Sequence, residues 1–99
     1  MKHVLLSSDS APSVYLVPDT VADNLNKYCG EFYKWLLKSP HAEKYRIGRG
    51  VCYNEGDFID YLNMWIFPDN PSLYVETLGN IRDASDVPQK YKHCKWFNF

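Results

Sequence analysis

The stretch PDTVADNLNKYCGEFYKWLLKS, residues 18–39, constrains the fold more than any other part of this 99-residue chain. Val21, Leu25, Tyr28, Phe32 and Trp35 or Leu36 recur at three- and four-residue intervals, which sets them on one face of a helix. Thr20, Asn24, Lys27, Glu31, Lys34 and Lys38 form the opposite, polar stripe. Pro18 or Asp19 suits the entrance, lysines gather toward the exit, and Pro40 stops the helix. Cys29, Tyr33 and Leu37 widen the apolar arc, so burial on more than one side is expected. Gly30 costs about 1 kcal/mol relative to alanine inside a helix, a cost that the close approach of another element would offset. Such a helix needs layers to pack against, and the rest of the chain must supply them.

The flanking segments supply strands and one further helix. KHVLL (2–6) and SVYLV (13–17) are β-rich runs joined by the turn formers of SSDSAPS, a hairpin pattern with a longish loop. Residues 45–53 suit a strand bent at Gly48 and Gly50. NEGDFIDYLNMWIF (54–67) predicts the second helix, with Asn54 as N-cap and Asp57 as its capping-box partner. Its buried stripe is Phe58, Tyr61, Leu62, Trp65 and Ile66. PDNP (68–71) ends it, SLYVETLG (72–79) reads as a strand, and SDVPQKYK (85–92) as a short last helix. The order β-β-α-(β)-α-β-(α) predicts an α+β fold: a small, mostly antiparallel sheet with two main helices packed on one face. No repeat, low-complexity tract or linker divides residues 1–99, so they are expected to form a single domain.

The chain ends in YKHCKWFNF, with Trp96, Phe97 and Phe99 in its last four positions. As a strand, this tail puts Trp96 and Asn98 on one face and Phe97 and Phe99 on the other. An edge strand that buries the two phenylalanines and leaves Trp96 half-exposed is the expected arrangement. Eight Tyr, five Phe and three Trp, each removing about 150–250 Å² from water when buried, give a small chain an adequate core and exclude disorder. No apolar run approaches the ~18–20 residues of a membrane span. Three scattered cysteines, Cys29, Cys52 and Cys94, and no export signal predict a cytoplasmic protein with reduced thiols.

Most chemistries have no signature. GRG (48–50) lacks the spacing of a phosphate-binding loop. Metal sites want clustered ligands, and only His93 and Cys94 are adjacent. A cysteine nucleophile needs a base in reach; Cys94 or Cys52 with His3, His41 or His93 is the one enzymatic alternative. Neither cofactor nor metal is expected.

Charge is the informative feature. Net charge is −1, yet residues 51–76 hold Glu55, Asp57, Asp60, Asp69 and Glu76 without a single Lys or Arg. Residues 38–50 are basic through Lys38, Lys44, Arg46 and Arg49, and residues 77–99 through Arg82, Lys90, Lys92 and Lys95. One expectation is that these blocks neutralise one another across the fold, in surface pairs worth little each. The functional expectation is a non-enzymatic binding protein that engages a macromolecular partner with a basic surface through an acidic, aromatic-rimmed face. An inhibitor or immunity-type protein of a mobile element, blocking a nucleic-acid enzyme, has that physical profile. The candidate binding residues are Glu55, Asp57, Asp60, Tyr61, Trp65, Asp69, Tyr74 and Trp96, with carboxylates steering and rings anchoring. The alternatives are a nucleic-acid module using the basic segments with Tyr45, Tyr53, Tyr91 and Trp96, against which a sequence pI near 6.3 argues, and a homodimer formed through exposed aromatics.

Overall fold

Alternating apolar residues at the start of the chain form the expected hairpin: β1 (Lys2–Ser7) runs antiparallel to β2 (Ser13–Val17). The structure, a computed structural model, describes residues 1–79 and 81–99. Helices α1 (Asp19–Asp23) and α2 (Leu25–Lys38) follow, then a 3-10 turn at Pro40–Tyr45 and a small hairpin of β3 (Arg46–Ile47) and β4 (Gly50–Val51). Helix α3 (Glu55–Tyr61) runs into a π-helical turn, Leu62–Ile66. Strand β5 (Leu73–Thr77), two 3-10 turns at Ala84–Asp86 and Gln89–Tyr91, and β6 (Trp96–Asn98) complete the chain. The class is α+β. The main sheet has four strands in the order β5-β2-β1-β6, with β5–β2 and β2–β1 antiparallel and β1–β6 parallel.

Strand alternation divides the core between the two faces of that sheet. Val4, Leu6, Tyr15 and Val17 point to the helices and pack with Leu25, Phe32, Leu36, Phe58 and Leu62. Leu5 and Val14 point the other way, where Leu78, Val87 and Tyr91 cover them. The segment predicted as a last helix is thus two short turns that roof the second face.

Phe32 joins the layers. Its ring meets Tyr53, Phe58, Tyr61 and Phe99 at centroid distances of 5.6, 5.5, 5.2 and 6.0 Å. The tail is therefore an edge strand, as its alternation predicts: Phe97 and Phe99 pack on the core while Trp96 stays 36% exposed. Leu5 N donates to Lys95 O at 2.9 Å, and Phe99 N to Ser7 O at 2.8 Å. The Asn98 amide then clamps the β1–β2 loop, accepting from Asp9 N and Ser7 Oγ and donating to Asp9 Oδ1. Asp9 sits at φ 57°, a left-handed conformation that this clamp secures.

Four local expectations need correction. The helix over 18–39 is broken at Asn24 (φ −132°), whose side-chain Nδ2 donates to Thr20 O at 2.9 Å, a local bond that competes with helix continuation. Of the three residues that widen the apolar arc, only Cys29 is buried; Tyr33 and Leu37 are exposed. The bent strand at 45–53 is instead the β3–β4 hairpin, turning at Gly48 with φ +59°. Finally, the π turn, marked by Phe67 N donating to Leu62 O at 2.7 Å, rotates Trp65 and Ile66 off the buried stripe into solvent.

Gly30 is also open to solvent, and a Cβ there would meet nothing within 4 Å. No close approach offsets its helix cost. Gly30→Ala is accordingly expected to raise stability by about 0.5–1 kcal/mol, measured by urea denaturation. An unchanged or lowered midpoint would contradict this placement.

Candidate interaction face

Helix α3 begins with local chemistry that its sequence specifies. Asp57 N donates to Asn54 Oδ1 at 3.1 Å and Asn54 N to Asp57 Oδ2 at 3.0 Å, a complete capping box. Glu55 ties the helix to the β1–β2 loop: its N–H donates to Ser8 Oγ, and the Ser8 hydroxyl donates to Glu55 Oε2 at 2.6 Å. Asp57 and Glu55 thus each commit one oxygen to structure. Asp60, one turn on, is exposed.

Edge strand β5 is tied to the π turn that follows this helix. The Asn63 amide pins its entrance, accepting from Ser72 N at 2.7 Å and donating to Ser72 O. Tyr74 is 59% exposed and stands edge-on to Tyr15, 5.7 Å between centroids. Its hydroxyl bonds Thr77 Oγ1, which in turn bonds Ser13 Oγ. Burial pushes the Tyr15 phenol pKa up, and the fields of Glu55, Tyr74 and Asp60 raise it further. The β5–β2 register shifts between Val14 and Tyr15, a bulge that sets Val75 opposite no partner. Leu73 and Val75 are exposed along the same edge, and Met64, Trp65 and Ile66 on the π turn that Asn63 joins to it.

The expected site residues divide accordingly. Glu55, Asp57 and Asp60 share helix α3, Tyr74 lies on edge strand β5, and Asp69 is exposed on the loop that leads to β5. Trp65 is exposed but turned toward the 3-10 segment, stacked on His41 at 4.4 Å. Two residues leave the set. Tyr61 is a core residue, 5% exposed and packed on Phe32 and Trp35, because it lies one helical turn from buried Phe58. Trp96 is on the opposite sheet edge, three strand spacings or about 14 Å from β5, with Nε1 donating to Ser7 Oγ. Tyr15, which Tyr74 meets edge-on, is like Tyr61 a buried core residue and supports the strand without forming part of the surface.

The acidic stretch stays largely uncompensated. Among the described residues the ion pairs are the Met1 amine with Asp19, Lys2 with Asp23, and Lys90 with Glu76. Of the five carboxylates between 51 and 76, only Glu76 meets a cation. It also accepts from the Tyr91 hydroxyl, the principal cause that holds its carboxyl below the usual range. On the basic side, Arg46 caps α2 by donating to Leu36 O. Tyr45 and Tyr53 pack on Trp35 and Phe32, and Tyr91 is buried, so three of the four rings of the nucleic-acid alternative are occupied within the fold.

No family model matches the chain, no curated protein matches its sequence, and no solved structure matches its fold. Among the described residues no group of three or more His, Cys, Asp and Glu could hold a metal ion, and no helix is long and apolar enough to cross a membrane.

Cys29 and Cys94 run counter to nucleophile chemistry, which requires a lowered pKa. Burial pushes Cys29 up to about 12 and raises Cys94 as well. Exposed Cys52 is expected to react first with iodoacetamide, Cys94 more slowly, and Cys29 only after unfolding, by peptide mass mapping. Preferential labelling of Cys94 would contradict this order and favour the enzymatic alternative.

Proposed function

We propose that this chain acts by binding rather than catalysis, docking on a protein partner with a basic surface through the face formed by α3 and β5. The observation that carries this reading is the juxtaposition of carboxylates without ion pairs and an exposed edge strand bearing Tyr74. Unpaired carboxylates accelerate encounter with a basic groove and fix its orientation. The outer backbone groups of β5 offer main-chain hydrogen bonds to an added strand, with exposed side chains conferring selectivity. Tyr74 is of a ring type that often anchors such interfaces. An inhibitor that blocks a nucleic-acid enzyme by occupying its phosphate-binding groove fits this set of features. The three free thiols fit a reducing compartment such as the cytoplasm.

The test is capture from nuclease-treated lysate by the native chain and by an Asp60→Lys, Asp69→Lys variant with unchanged circular dichroism. These two carboxylates are exposed and bear no structural hydrogen bond among the described residues. The expected result is a basic protein that binds the native chain and binds the variant at least about tenfold more weakly, with affinity falling as salt rises. Equal retention of the same partner by both would remove the site from this face.

A further inference from the structure

The parallel pairing of β1 with β6 brings residues 93–95 beside residues 2–3, although they are distant in sequence. Together with the end of α1 they line a cleft of about 450 Å³, whose polar walls are Lys2, His3, Asp23, His93 and Lys95, with Cys94 at the side. That volume is within the range of small-ligand sites. Asp23 positions both ammonium groups: Lys2 Nζ pairs with its Oδ1 at 2.7 Å, and Lys95 Nζ donates to its main-chain carbonyl, also at 2.7 Å. The hydrogen bond from Lys2, then the charges of Lys2 and Lys95, hold the Asp23 carboxyl below its usual range despite some desolvation. One carboxylate thus stands between two cations, and among the described residues Lys95 makes no ion pair of its own. The His3 ring is fixed edge-on to Tyr91, 5.4 Å between centroids.

We propose that this cleft binds a small phosphate-bearing molecule. Lysines contact phosphate as point charges, and imidazole N–H groups add donors. Ammonium groups carry rotatable donors with no fixed planar fork, which suits the spread of oxygens on a tetrahedral oxyanion. No Phe, Tyr or Trp lines the cleft, so nothing there would stack a nucleobase. The site lies toward the β1–β6 side of the sheet, away from the β5 edge, and stands independently of the partner face.

The test is an NMR titration of the whole chain with inorganic phosphate at constant ionic strength, followed by the side-chain signals of the three histidines. His41, stacked on Trp65 outside the cleft, is the internal control. The expected result is saturable movement of His3 and His93 with His41 unchanged. Lys95→Gln should weaken binding by about fivefold, and Lys2→Gln provides a second variant should the first disturb the fold. Acetate should bind more weakly than phosphate. Non-saturating or equal movement of all three histidines would overturn the proposal, as would unchanged affinity in both folded variants. Tighter binding of acetate would do the same by assigning the cleft to carboxylates.

Discussion

Everything in this fold converges on the ring of Phe32. It lies at the middle of α2 and touches α3 through Phe58 and Tyr61, the post-hairpin loop through Tyr53, and the C-terminus through Phe99. Aromatic pairs at such distances contribute about 0.5–1.5 kcal/mol each beyond the area they bury. The consequence is topological as well as energetic. Because Phe99 is drawn to Phe32, the last residues are held against β1 and become its parallel neighbour. A tail that would otherwise fray becomes an edge strand of the sheet.

The other edge of the main sheet is β5, whose side chains are largely exposed. Edge strands are commonly blunted by lysine, proline or a bulge. Strand β5 has the bulge at Val75, and its Glu76 pairs with Lys90. The two ends of the sheet differ in charge: carboxylates gather by α3 and β5, while Lys2, Lys95 and two histidines gather where β1 and β6 meet.

What the sequence made legible was what local chemistry dictates. The α+β class, the first hairpin, the Asn54–Asp57 capping box and the alternation of the tail all follow from residues near one another in the chain. The break at Asn24 hides because asparagine also belongs on the polar stripe, and only its bond to Thr20 O distinguishes a cap from a surface residue. The π turn at Leu62–Ile66 has no compositional mark, yet it decides that Trp65 and Ile66 are exposed. The candidate face was legible in its charge but not in its membership. Tyr61 and Trp96 separated from Tyr74 because burial and strand order are set by non-local contacts.

The central claim is that Phe32 locks the tail against β1, while the opposite edge strand, β5, is held less tightly. Native-state amide hydrogen exchange tests it most directly, since Phe99 N–H bonds Ser7 O and Leu5 N–H bonds Lys95 O. The account predicts that both amides exchange as slowly as the central β1–β2 ladder, close to the global unfolding limit. It predicts that amides of β5 exchange faster. Exchange of the Phe99 amide at the rate of a frayed end, with Leu5 following it, would contradict the claim and release the tail from the core.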